Sequence, residues 1–199
     1  MQAWKGAWSW DKVLELSLHI LDIAENSIRA GADLVRITVK ENLPANRFVL
    51  EIKDNGSGML KEVREKALDP FFTSKKVRRV GLGLPMLAEA AERTGGNFVL
   101  ESEIGKGTRV RAEFGLDHID RQPLGKITGT LIALIIGNPQ MDFIYEHRKN
   151  DRAYLLDTRE IKEQLKDIPI NHPEVLHFLR ENVQEGLTEI GADFSKEEF

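Results

Sequence analysis

Residues 48–59 read FVLEIKDNGSGM. The first six alternate apolar and polar side chains well enough to predict a half-buried strand, Phe48 to Lys53. Asp54 then ends the strand with a carboxylate, and Gly56 and Gly58 follow with no Cβ to hold other atoms away. Asp-x-Gly-x-Gly alone is a weak signal, because a tight turn can look the same. Its surroundings strengthen it. Upstream, Leu34 to Lys40 (LVRITVK) predicts a second strand, with Pro44 and Asn46 in the loop between the two. Earlier still, Leu16, Ile20, Ile23, Ala24 and Ile28 recur at three- and four-residue spacing, which predicts a helix over Asp11 to Ala30 stopped by Gly31. The same helix carries a polar stripe, Glu15, His19, Asp22, Asn26 and Arg29. Such a stripe is ordinarily a solvated face. Asn26, however, has a propensity cost in a helix interior and lies one turn after Asp22 on the same side, so the stripe is a candidate site.

After Met59 a charged, helical stretch runs to Leu68. Asp69 to Val80 reads as a loop with Pro70, two phenylalanines and a basic cluster, Lys75, Lys76, Arg78 and Arg79. A solvated loop and a phosphate-contacting one both explain that cluster. Gly81-Leu82-Gly83-Leu84-Pro85 opens a helix from Met86 to Arg93, which stops before Gly95-Gly96. Strands are predicted at Asn97 to Ser102 and Thr108 to Phe114, joined by Gly105-Lys106-Gly107. Beyond Asp117 the texture changes. Thr130 to Ile136 predicts a strand, and Phe143 to His147 and Ala153 to Leu156 flank a hairpin turn at Asn150-Asp151. Asp157 and Asn171, each followed three residues later by Glu, resemble caps of helices from Thr158 to Lys166 and His172 to Ile190. No repeat or low-complexity segment is visible.

Composition narrows the function classes. With 199 residues, 41% hydrophobic and 30% charged, the chain is long enough for one globular domain plus a small appendage. The net charge of −4 is no footprint for nucleic acid, which calls for a basic surplus. The absence of cysteine excludes disulfides, thiolate metal sites and cysteine nucleophiles. The longest apolar run is far short of the ~20 residues of a membrane helix, and no secretory signal is visible. A cytoplasmic protein is expected. The first ten residues, MQAWKGAWSW, hold all three tryptophans. Packing on the domain, anchoring to a partner and an upstream start codon that adds a tail are the competing readings.

The order of these pieces can hold a nucleotide. A carboxylate at a strand end accepts from the exocyclic amine of adenine and refuses the carbonyl of guanine. Gly56 and Gly58 let backbone approach a flat base. Amides after Gly81 and Gly83, at a helix start, can donate to phosphate oxygens, and Lys75 can neutralise their charge. Asn26 offers a carbonyl oxygen suited to Mg²⁺.

LDIAENSIRAGA, DNGSGM, DPFFTSK, GLGLPML and GKGTRV resemble, in order, the nucleotide-binding boxes of the ATPase superfamily shared by DNA gyrase B, the ninety-kilodalton heat-shock chaperone, MutL and histidine kinases. The resemblance covers Leu16 to Phe114. It implies an α+β two-layer sandwich of the Bergerat type over residues 11–116, a Trp-rich tail at 1–10, and a small α+β extension at 117–199 for docking. It implies ATP and Mg²⁺ as ligands: Asn26 on Mg²⁺ through the phosphates, Asp54 on adenine, and Gly56, Gly58 and Met59 beside the base. Thr73, Lys75, Gly81, Leu82, Gly83 and Leu84 belong to the lid and phosphate site, and Thr108 sits near Asp54. The segment from Asp69 to Val80 is expected to be a lid ordered by nucleotide.

Two departures matter. The position four before the Asn is a general-base Glu in gyrase, MutL and the chaperone, and here it is Asp22, one methylene shorter. Slow or absent hydrolysis is therefore expected. Only about 16 residues precede the first box, too few for the acceptor hairpin of a histidine kinase. His19 reads as a polar helix-face residue rather than a phosphate acceptor. The other four histidines read as structural or solvated. The whole chain, including HIDRQPLGKI and NHPEVLHFLREN, resembles small standalone ATP-binding proteins encoded with NADH- and ferredoxin-linked hydrogenase subunits. That implies a nucleotide-responsive accessory subunit with a protein partner. The alternatives are a protein kinase acting on a separate partner, as anti-sigma kinases do, and a structural subunit with a vestigial site.

Overall fold

Side-chain alternation sorts the two faces of the sheet. The computed structural model describes residues 15–69 and 83–192. β1 (Leu34–Asn42) and β2 (Arg47–Asp54) pair antiparallel, and Asn46 turns the chain between them at φ 51°. β3 (Asn97–Glu103) and β4 (Gly107–Gly115) form a second hairpin whose β4 pairs with β2. β5 (Asp142–Lys149) lies parallel to β1, and β6 (Arg152–Asp157) returns antiparallel to β5. The result is one six-stranded sheet in the order β3-β4-β2-β1-β5-β6.

Registers of period two put Ile37, Ile52, Val110 and Tyr145 in one row and Val39, Leu50 and Ala112 in the next. All of these are buried. The opposite face carries cross-strand ion pairs, Arg109 with Glu51 and Glu101, Arg111 with Glu51, and Arg47 with Glu113. Pairs this exposed contribute about 0–1 kcal/mol each and mainly keep the open face wet.

Helices cover the apolar face. α1 (Leu16–Arg29) buries Leu16, Ile20, Ile23 and Ala24, the periodic set seen in the sequence, and Gly31 ends it at φ 71°. α2 (Lys61–Lys66) is short, and α3 (Gly83–Arg93) buries Leu87 and Ala91. α4 (Ile127–Gly137) packs against both α1 and α6 (Pro173–Glu189), while α5 (Thr158–Leu165) lies on β5. These side chains form one continuous core that joins Ile20 and Leu87 to Leu131, Leu179 and Val183.

Two expectations are corrected. The run from Thr130 to Ile136 is helix α4, not a strand. An unbroken apolar run has no periodicity with which to separate a buried helix from a buried strand. For α6, the N-cap is His172 rather than Asn171, its side chain accepting from the Glu174 N–H at 3.4 Å. Pro173 fixes the first helical φ and so sets the cap one residue later. The first helix starts at Leu16, after an extended Glu15, rather than at Asp11, while the β1–β4 strands and the Asn150 turn (φ 51°) lie where the sequence places them. Residues 117–192 continue the same sheet and core through β5, β6 and α4. Among the described residues no helix is long and apolar enough to cross a membrane.

Candidate functional site

Asp54 ends β2 and turns inward, only 7% exposed. Its Oδ1 accepts from the N–H groups of Gly56 (2.9 Å) and Thr108 (3.1 Å), and its Oδ2 accepts from Ser27 Oγ (2.6 Å). A carboxylate has about four lone-pair positions. Three are used, which leaves one acceptor direction for a ligand donor. β2, β4 and α1 each supply part of this grip, so the carboxylate is oriented from three elements.

The glycines around it hold the loops together. A Cβ at Gly58 (φ 66°) would lie 2.0 Å from the Glu103 carbonyl, and one at Gly107 (φ 82°) would lie 2.0 Å from the Asp54 carbonyl. Any side chain at either position would force two backbones apart. At Gly56 the space is bounded by Ala30 at 3.0 Å. The close approach these glycines allow in this structure is thus to protein backbone. Ser102 fastens the same junction. Its Oγ accepts from Met59 N–H (2.9 Å), donates to the Gly107 carbonyl (3.1 Å) and meets Thr108 Oγ1 at 2.9 Å. Asn55 ties the loop to the start of β1, its Oδ1 accepting from Asp33 and Leu34 N–H at 3.1 Å.

The helix stripe divides. Asp22 stands against the first turn of α3, where a Cβ on Gly83 would be 1.9 Å from its Oδ2. Asn26, one turn further, accepts at Oδ1 from Arg29 (2.5 Å). His19 is not a solvated helix-face residue: it is 3% exposed, and Nε2 has no hydrogen-bond partner among the described residues. Burial holds its imidazole below the usual 6.5, against the raising influence of the Gly83 backbone, Gln122 and Asp22. The Gln122 Oε1 is likewise buried and unpartnered. Beside the Ser102–Thr108 junction a cleft of about 550 Å³ is lined by Met59, Ser102 and Thr108 together with Lys53, Lys61 and Arg64.

The structure therefore brings Asp54, Gly56 and Thr108 into direct hydrogen-bond contact, ties Met59 to them through Ser102, and sets Asp22 beside Gly83. Leu84, in the first turn of α3, is half-buried. Thr73, Lys75, Gly81 and Leu82, and with them the expected lid from Pro70 onward, lie outside the described residues. Sequence reasoning missed Ser27 and Ser102. Ser27 directly follows Asn26, and its signal was a second small polar residue on a helix face otherwise apolar. Ser102 is one of several polar residues on an alternating strand and offered none. Among the described residues no three His, Asp or Glu side chains stand together as a metal cage.

Comparison with known proteins agrees with this geometry. The chain is 40% identical over 79 residues to the sensor kinase CckA of Brucella abortus, covering 39% of this chain and 8% of the relative. It is 31% identical over 94 residues to sporulation kinase C of Bacillus subtilis, covering 47% and 22%. The chain thus spans less than a quarter of either relative's length. In overall fold it resembles the crystal structure of the N-terminal domain of a DNA repair protein, with TM-score 0.51 and 17% identity, over 88% of this chain and 59% of that one. The family model described as histidine kinase-, DNA gyrase B- and HSP90-like ATPase matches residues 12–118, more than half of the chain, and the chain belongs to that family.

Proposed function

We propose that the protein binds ATP with Mg²⁺ and acts as a nucleotide-responsive accessory subunit of a larger complex. The observation that carries the reading is the Asp54 carboxylate, buried, held by Ser27, Gly56 and Thr108, and left with one acceptor direction. That donor set suits the amine of adenine, whereas the carbonyl of guanine would set lone pair against lone pair. Asn26 would exchange its Arg29 partner for the cation. The first-turn amides of α3, with Lys75 and Gly81 to Leu84 around them, would receive the phosphates. Mg²⁺ would neutralise phosphate charge. The resemblance of the whole chain, including HIDRQPLGKI and NHPEVLHFLREN, to hydrogenase-associated ATP-binding proteins supports a redox complex as the partner.

Calorimetry with ATP and GTP tests the binding. ATP should bind and GTP should not, and Asp54→Asn should weaken ATP by ~1–3 kcal/mol, because a donor then faces the adenine amine. Equal affinity for the two nucleotides, or an unaffected variant, overturns the assignment. The relatives' description as sensor and sporulation kinases favours a second reading, phosphorylation of a separate partner. Transfer of label from γ-labelled ATP to a protein co-purified from the native host would select it over simple binding.

A further inference from the structure

α4 has an unusual composition for a helix that reaches the surface. Its sequence, ITGTLIALIIG, contains no charged residue, and seven of its eleven positions are buried against α1, α6 and the rest of the core. The remaining side, Gly129, Ala133, Ile136 and Gly137, is exposed. Ile136 is 49% exposed, and a Cβ at Gly137 would meet nothing within 4 Å among the described residues. A helix apolar all round is ordinarily covered on every side, and an outward face ordinarily carries charge. α1 and α3 follow that rule, with Glu25 and Arg29, and with Glu89 and Arg93, on their exposed sides.

The chain itself passes beside the start of this helix. The Leu16 and Ser17 N–H groups donate to the carbonyls of Pro123 and Leu124 (2.9 and 2.8 Å), and Glu15 Oε2 accepts from the Lys126 N–H at 3.1 Å. Residue 15 is therefore clamped to the residue that caps the start of α4. Residues 1–14 are thereby tethered at the start of α4. The ten residues MQAWKGAWSW contain three tryptophans and a single charge, Lys5. Reach is sufficient. α4 is about 16 Å long at 1.5 Å per residue, and the stretch from Trp10 back to Trp4 lies within about 17–40 Å of Glu15 along an extended chain. Flat indole rings need a surface without protruding side chains, and Gly129, Ala133 and Gly137 provide one.

We propose that the N-terminal segment, residues 1–14, docks along the outer face of α4, with its tryptophans over Gly129, Ala133, Ile136 and Gly137. This docking is independent of nucleotide binding. The occupant is this segment rather than a second copy of the chain, because the segment is tethered at the start of the face and is apolar in the measure the face requires.

All three tryptophans lie at positions 4, 8 and 10, so the intrinsic indole fluorescence of the full chain reports on this segment alone. The expected result is emission to the blue of the urea-unfolded chain and protected from acrylamide, unchanged on dilution. Ala133→Glu and Gly137→Glu, both pointing to solvent and each checked for folding by circular dichroism, should shift emission to the red and remove the protection. Glu185→Lys, on the exposed side of α6, should leave it in place. Solvent-exposed emission in the unmodified chain, or blue emission that neither α4 variant moves, would overturn the proposal. Protection that disappears on dilution would overturn it too, and would assign the face to a second copy.

Discussion

Position 22 illustrates how one methylene sets a chemical expectation. Asp22 lies against Gly83 at the start of α3, where the phosphates would sit. A base must reach its water at about 3 Å, and the short side chain holds its carboxylate back against the helix. Phosphate release from ATP should therefore be slow in the unmodified protein, and Asp22→Glu should raise it. Brisk turnover before substitution would remove the argument. A turn away, His19 makes a pH prediction. Burial lowers its pKa in the folded chain below the ordinary 6.5. The unfolded chain thus binds the proton first as pH falls, so stability is full above 6.5 and declines below it, by up to ~1.4 kcal/mol per pH unit. Thermal midpoints between pH 7.5 and 5.5 should fall in the native protein and fall less in His19→Gln. Parallel profiles would show that His19 titrates as it does unfolded.

At the level of elements, the Thr158 hydroxyl joins β5 and α5, alongside the Lys162–Asp142 ion pair. Thr158 is fully buried, and its Oγ1 accepts from the buried Phe143 N–H at 2.8 Å, while Asp157 caps α5 through the Arg159 N–H at 3.0 Å. Thr158→Val keeps the shape and leaves the Phe143 amide without an acceptor. It should cost ~1–3 kcal/mol in urea unfolding, and Thr158→Ser should restore most of it. Equal losses for both would assign the effect to packing. The Asp157 cap was legible from Glu160 three residues on. The α4 helix was not, because every residue of its core-facing and outward sides is apolar or small and the periodic signal is flat.

The whole molecule is organised around β1, which has neighbours on both sides. β2 reaches it by a tight turn, but β5 comes from a hundred residues later and pairs parallel from Leu34↔Asp142 to Glu41↔Lys149. Across that pair, buried His147 bridges Glu41 (2.8 Å) and Tyr145 (2.9 Å). Burial would raise the Glu41 pKa, yet His147, Lys149 and Arg121 hold it below the ordinary carboxylate range. A chain cut after Asp117 would lose β5, β6 and α4 together. It would expose the β1 edge and the faces of Ile20 and Ile37, and sheet edges of this kind associate. Such a fragment should aggregate or bind a hydrophobic dye where the full chain does not. A monomeric fragment with cooperative thermal unfolding would show that the core up to Gly115 suffices.

Local information was enough for much of this protein. Apolar spacing in α1, alternation in β1 to β4, and Gly31 at the end of α1 act through near neighbours, so their consequences can be read from the order of residues. The same holds for the candidacy of Asp54 and Asp22, whereas that of Thr108 came from the family resemblance. Tertiary structure alone decided what depends on distant partners. It placed Ser27 and Thr108 on the Asp54 carboxylate and Ser102 under Met59. It buried His19 beneath Gly83 and Gln122, and it inserted β5 beside β1. Those contacts join residues from 27 to more than 100 positions apart. No periodicity encodes such pairings, because they arise only when separate apolar faces share one core.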